Sequence, residues 1–173
     1  MWSNFALAAS DDPAAVLREW QRVLEPEGLV MFSTLGPDTL KDLRAAFGSD
    51  ASPHVHPFVD MHDIGDMLVT AGFADPVIDM ELMTLTYPTL EGLLADLRRS
   101  GATNALATRR RGLTGRALWE RARSAYAGPA RGGRLPATFE VVYGHAWKPQ
   151  PRATVDGRRI IRFDAGAPRR MQG

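Results

Sequence analysis

Two histidines one residue apart, His54 and His56, lie in a run rich in Ser, Asp, Pro and His over residues 48–60. Alternate imidazoles can chelate a metal, but no carboxylate pattern accompanies these two, so no metal site is expected. The plain reading is a loop with exposed imidazoles. Covering or touching a substrate is the better functional role, because loops carry function on rigid scaffolds. Arg98, Arg99, Arg109, Arg110, Arg111, Arg116, Arg121 and Arg123 form the densest basic stretch. Guanidinium forks suit carboxylates and phosphates. No aromatic interleaving or nucleic-acid motif accompanies them, so an acidic protein or a phosphorylated carrier arm is the expected partner and nucleic acid is not. A solvated helix face is the bland alternative. Ser3-Asn4 follows a segment with the look of a strand end, where polar groups line ligand crevices in open α/β sheets. The motifs GxGxxG, GxxxxGK[ST], HExxH and GxSxG are absent.

The elements that must position these groups follow from apolar spacing. Asp12-Pro13 is a side-chain cap followed by proline at the first helical position, and Val16, Leu17, Trp20, Val23 and Leu24 continue at helical intervals. Leu29 to Thr34 is a short apolar run bounded by turn signals, as in a buried strand of a parallel sheet. Leu40, Leu43 and Phe47 mark a short helix. Ile64, Met67, Leu68 and Ala71 mark another, closed by Gly72. Residues 77–87 predict a long strand with Asp79 and Glu81 opposite Ile78, Met80 and Leu82. Leu90, Leu93, Leu94 and Leu97 predict a helix stopped near Gly101. Thr114 can cap a helix carrying Leu118, Ala122 and Tyr126. Residues 138–147 predict a strand with Phe139, Tyr143 and Trp147 on one face. A further strand is expected at 159–163. The order of elements argues an α/β fold with a partly parallel sheet.

The chain is long enough for one domain, with 173 residues of which 45% are apolar. It has no cysteine, which excludes disulfides, thiolate metal sites and a cysteine nucleophile. No apolar run approaches the ~20 residues of a membrane helix, and the first residues show no secretory signal. A cytoplasmic protein without a membrane partner is expected. Charge is uneven: residues 1–90 carry 4 Lys/Arg against 14 Asp/Glu, and residues 91–173 carry 17 against 6. Either one half faces an acidic partner, or each half solvates its own helices and the two attract each other.

Residues 2–40 carry something more specific. WSNFALAASDDPAAVLREWQRVLEPEGLVMFSTLGPDTL resembles the middle of a class I S-adenosylmethionine-dependent methyltransferase, from the fourth strand through the following helix to the fifth strand. LGPDTLKDLRAAFG, HPFVDMHDIGDMLVTAGFADPVIDME and LPATFEVVYGHAWKP narrow the resemblance to the biotin-pathway enzymes that methylate the free carboxyl of malonyl-acyl-carrier protein. Residues 1–149 are thus expected to be the C-terminal part of a Rossmann-like sheet with the first three strands missing, and residues 150–173 a basic Pro/Arg-rich tail. The stretch Ser52-Pro53-His54-Val55-His56-Pro57-Phe58 is also similar to a respiratory complex I assembly factor that hydroxylates an arginine on the same fold. A non-enzymatic fragment holding an acidic protein is the remaining alternative.

The resemblance implies S-adenosylmethionine as cofactor, with Trp2, Ser3 and Asn4 next to its methionine end. It implies that Thr34, Leu35 and Gly36 border the substrate pocket. His54, His56, Arg98, Arg99, Arg109 and Arg110 are the other substrate-side candidates, and the acyl-carrier protein is the implied partner. The family's Gly-rich cofactor loop and ribose-binding acid are not in this sequence, so weak or no activity is expected of the chain as it stands.

Overall fold

The computed structural model describes residues 1–48, 55–104, 109, 111–127 and 132–151. The expected strand at 159–163 lies outside them, as do His54 and Arg110. The chain begins with strand β1 (Trp2–Asn4) and a single 3-10 turn at Leu7–Ala9, then helix α1 (Pro13–Val23) and strand β2 (Leu29–Leu35). Helices α2 (Lys41–Phe47) and α3 (Met61–Thr70) lead to the long strand β3 (Ala74–Tyr87). Helices α4 (Leu90–Arg99) and α5 (Arg116–Ala127) lead to β4 (Leu135–Trp147).

Local chemistry sets several of these boundaries. The Asp12 carboxylate accepts the Ala15 N–H at 2.8 Å, and Pro13 opens α1 with a ring that needs no donor. Asp60 and Thr89 cap α3 and α4 in the same way, accepting from His62 and Gly92. Gly72 and Gly101 follow the ends of α3 and α4 with φ of 91° and 78°, a left-handed backbone that a side chain disfavours.

The four strands form one sheet in the order β1-β2-β4-β3. Only β1 and β2 are parallel; β4 runs antiparallel to both neighbours. The sheet is therefore mixed, with its last strand inserted between β2 and β3. Strand alternation sends neighbouring residues to opposite faces. On one face Val30, Phe32, Val142 and Ala146 join Leu17, Ile64 and Leu68 of α1 and α3 in a buried cluster. On the other, Ala137 joins Leu43, Phe47, Leu93, Ala122 and Tyr126 of α2, α4 and α5, with Phe139 packed against them.

The second face is covered at one end only. Trp2, Met31, His145 and Val77 lie in register across all four strands, and Trp2 is 72% exposed. Met31, Tyr143, Trp147 and Val77 are exposed beside it. Of the aromatics expected to share one face of the last strand, Phe139 thus meets the core while Tyr143 and Trp147 face solvent. On β3, Met80 and Leu82 are exposed as well as Asp79 and Glu81, while Ile78 packs against the cluster around α1 and α3.

Candidate functional site

A cavity of about 430 Å³ opens where the covered end of the second face meets the loops after β1 and β2. This volume is within the usual range for small-molecule sites, roughly 300–1,000 Å³. Leu35 at the end of β2, Leu40 and Leu43 around the start of α2, Leu94 and Leu97 on α4, and Phe139 on β4 make it apolar. Arg98 is the one formally charged residue among its described lining residues. No ion pair to Arg98 is formed among the described residues. Residues Ser100 to Asn104, just beyond α4, complete the wall.

Among the described residues four non-glycine residues have a left-handed backbone, and two of them line this cavity: Phe5 at φ 57° and Leu40 at φ 53°. Each such conformation costs of order 1–3 kcal/mol and persists where the surroundings over-determine it, which is common at binding sites. The Phe5 N–H is held by the Ser33 carbonyl at 2.8 Å, and the Leu40 N–H by the Thr138 carbonyl at 2.7 Å. A smaller cavity of about 150 Å³ lies alongside and shares Ala8, Leu35, His56 and Phe58 with the larger one. It adds Ser10, Asp11 and Thr34.

The loop between β2 and α2 is tied down by charge. Glu140 is only 4% exposed, and its carboxylate accepts the Asp38 N–H at 2.7 Å. The Asp38 side chain meets the Lys41 ammonium at 2.8 Å, and this bond raises the Lys41 pKa above its ordinary value. Arg44 donates to the carbonyls of Pro37 at 3.0 Å and of Thr39 and His56 at 3.4 Å each.

The structure brings part of the expected site together. Leu35, His56 and Arg98 share the larger cavity; Thr34, Leu35 and His56 share the smaller one. The His56 ring stacks on Phe58, with centroids 6.2 Å apart. Alternation along β1 divides the other candidates. Trp2 and Asn4 pair with Met31 and Ser33, on the face of the larger cavity, whereas Ser3 pairs with Phe32 and faces α1 and α3. The Asn4 side-chain oxygen accepts from both the Trp2 indole N–H at 2.8 Å and the Ser33 hydroxyl at 3.2 Å. Gly36 is buried against Glu140 and lines neither cavity. Arg99 points to Asp96 on its own helix, and Arg109 is exposed outside both cavities.

Sequence reasoning missed Phe5, Thr39, Phe139 and the Ser100–Asn104 wall, and it missed Glu140 and Arg44 behind them. One signal was available: a lone glutamate within an otherwise apolar strand pattern at 138–147. Among the described residues no group of three His, Asp or Glu side chains could hold a metal, and no helix is long and apolar enough to cross a membrane.

No family model matches the chain. The malonyl-[acyl-carrier protein] O-methyltransferase of Gallionella capsiferriformans is 57% identical over 163 residues, which are 94% of this chain and 56% of that protein. The enzyme of the same name from Laribacter hongkongensis is 55% identical over 172 residues, covering 97% of this chain and 58% of its own. The chain thus spans about half the length of the curated relatives it matches. Among solved structures, the YcgJ protein of Bacillus subtilis aligns with a TM-score of 0.54 at 10% identity, over 87% of this chain and 63% of its own. A Bacillus halodurans protein described as a candidate methyltransferase aligns with a TM-score of 0.51 at 15% identity, over 86% and 68%. At such identities the structural likeness speaks for the fold alone.

Proposed function

We propose that this chain, which is related to the C-terminal half of the malonyl-[acyl-carrier protein] O-methyltransferases, forms the acceptor side of a methyl transfer from S-adenosylmethionine to the free carboxylate of a malonyl thioester on acyl-carrier protein. The observation that carries this reading is the larger cavity: apolar walls, a single cation, and the two left-handed residues that shape it. In this reading Arg98, itself exposed, pairs with the carboxylate and sets its direction, while the leucines and Phe139 line the rest of the cavity. A malonyl carboxylate is ionised at pH 7, so no general base is required of the protein. Its task is proximity and alignment.

The residues on β1 fit one end of the cofactor. Trp2 offers an exposed indole face to a cationic sulfonium, and Asn4 is oriented beside it by two hydrogen bonds, both on the cavity's face of the sheet. When bound, that group supplies an activated methyl. Ser3 and Thr34, on the opposite face, support the strand ends from behind. His56 covers the boundary between the two cavities. Arg99, Arg109, Arg111, Arg116, Arg121 and Arg123 are exposed and give an acidic carrier protein a cationic approach, which steers encounter and weakens with salt. A carrier-protein substrate places the reaction in the cytoplasm.

The test is a calorimetric titration of the chain with malonyl-pantetheine, a carrier-free acceptor. Saturable binding is expected, weakened about tenfold by Arg98→Gln, the scale of one charge-assisted hydrogen bond. Equal affinity in the Arg98→Gln variant, or no binding by the unaltered chain, would overturn the reading.

A further inference from the structure

We infer that Glu140 and Arg44 are positioning residues: two charges on either side of the Gly36–Leu40 loop that set the wall of the larger cavity without touching what it holds. The inference rests on reading that cavity as the acceptor site.

The loop leaves β2 at Leu35 and enters α2 at Lys41, and three of the residues around it, Leu35, Thr39 and Leu40, line the cavity. Its main chain is docked on β4. Gly36 N–H donates to the Glu140 carbonyl at 2.9 Å, and the Thr39 hydroxyl donates to the same carbonyl at 3.2 Å while accepting the Glu140 N–H at 3.1 Å. Any residue but proline at position 140 could make these main-chain bonds. The carboxylate is different. It crosses over Gly36 to accept the Asp38 N–H, so closely that a Cβ built on Gly36 would lie 2.4–2.7 Å from its atoms.

Burying a carboxylate is costly, and an apolar side chain of similar size packs as well or better, so general stability is a poor reason to keep a charge there. What the side chain supplies is one acceptor oxygen whose short directional bond fixes the middle of the loop. Arg44 acts from the other side. Its fork reaches Pro37 and Thr39 in the loop and His56 in the next segment, so one guanidinium registers both walls against each other. The left-handed Leu40 follows directly on these clamped residues. A site loosened by an ångström loses affinity even when every contact residue is present.

The experiment uses the chain with ¹³C-labelled leucine methyls and malonyl-pantetheine as probe. In Glu140→Ala the methyl signals of Leu35 and Leu40 shift or broaden while those of Leu68, in the cluster around α1 and α3, hold still. The malonyl-pantetheine Kd rises about tenfold. Glu140→Gln, which keeps the size and an acceptor oxygen, restores both. Arg44→Lys, which keeps the charge but loses the fork, moves the same methyls and the resonances of His56. Leu68→Val serves as a control that lowers stability without touching the loop, and its Kd is unchanged.

Unmoved Leu35 and Leu40 methyls in Glu140→Ala would overturn the inference. So would an equal loss of affinity in Leu68→Val, because general destabilisation then explains it. If the unaltered chain does not bind malonyl-pantetheine, the acceptor-site reading fails by itself, and the methyl spectra still decide whether Glu140 sets the wall.

Discussion

Gly36 has two competing explanations, and one substitution separates them. Sequence resemblance places it beside the substrate pocket, where a glycine would leave room for a ligand. The structure shows the room already taken. A Cβ at position 36 meets the Glu140 Cδ at 2.4 Å and its two oxygens at 2.5 and 2.7 Å, all well inside contact distance. Gly36→Ala must therefore push a buried carboxylate aside. Overpacking of this kind costs ~1–3 kcal/mol. The displaced carboxylate also gives up its bond to the Asp38 N–H, and a hydrogen bond to a charged group contributes ~1.5–3 kcal/mol. The two add to roughly 2.5–6 kcal/mol, a fall of about 5–24 °C in Tm for a domain of this size. The assay is thermal and urea unfolding of four proteins: the unaltered chain, Gly36→Ala, Glu140→Ala and the double variant. Removing the Glu140 side chain vacates the space, so the double variant should be more stable than the sum of the single changes by at least about 1 kcal/mol. Strictly additive costs, or a Gly36→Ala protein as stable as its parent, would refute the steric argument and return Gly36 to the ligand.

Two further predictions test the packing that carries the site. Gly144 lies opposite Phe32 in the β2–β4 register, and a Cβ there would sit 2.3–2.9 Å from the Phe32 ring; Gly144→Ala should cost ~1–3 kcal/mol in urea unfolding, with most of it recovered by Phe32→Leu in the same chain. Tyr126 is buried and donates its hydroxyl to the Pro136 carbonyl at 2.6 Å, and burial first, then Asp42 and Tyr87, push its pKa from 10.0 to about 12. The folded form therefore holds this proton more tightly than the unfolded form. Its contribution is complete below pH 10 and is lost as pH rises from 10 to about 12. Tyr126→Phe should lower neutral stability by ~1 kcal/mol and flatten that alkaline decline, as read from Tm across pH.

Most of the element order was legible because each element carries its own local signal. Asp12-Pro13 announces α1, Gly72 and Gly101 follow the ends of α3 and α4, and Ala122 and Tyr126 sit on the buried side of α5 as their spacing requires. Strand order was less accessible. Nothing in residues 135–147 says that they pair with β2 and β3 at once, since an apolar alternating strand has no local mark of its neighbours. The site inherits this limit. Asp38 and Thr39 meet Glu140 across separations of 102 and 101 residues, and no spacing rule reaches that far. The candidates on β1 show how a strand distributes a consecutive run. Trp2, Ser3 and Asn4 were grouped by their resemblance to one family segment, and strand alternation divides consecutive residues between faces, so Trp2 and Asn4 look towards the larger cavity and Ser3 away from it. The arginines divided for a third reason. Arg98 and Arg99 are adjacent on α4, and a helix turns about 100° per residue, so Arg98 reaches the cavity while Arg99 pairs with Asp96.

The charge asymmetry can be judged by the same geometry. Attraction between an acidic first half and a basic second half would leave ion pairs bridging the two. Among the described residues the pairs are Arg18–Asp12, Arg22–Glu19, Lys41–Asp38, Arg99–Asp96, and Arg123 with Glu91 and Glu120. Each joins residues within residues 1–90 or within residues 91–173. Most are one helical turn apart and all are exposed, so they add little stability and cancel little of either half's excess. An uncancelled positive half acts over about a Debye length and so bears on approach more than on fold. In the proposed reaction the carrier protein and the malonyl carboxylate are both anionic, and the two demands on the protein differ. The carrier needs a diffuse field that releases it after turnover, which exposed arginines on flexible stems supply. The carboxylate needs a partner at its own site, and Arg98, itself exposed, supplies one in a cavity also lined by Leu94, Leu97 and Phe139. One cation in the cavity orients the nucleophile; a cluster there would bind the carboxylate too firmly for it to attack.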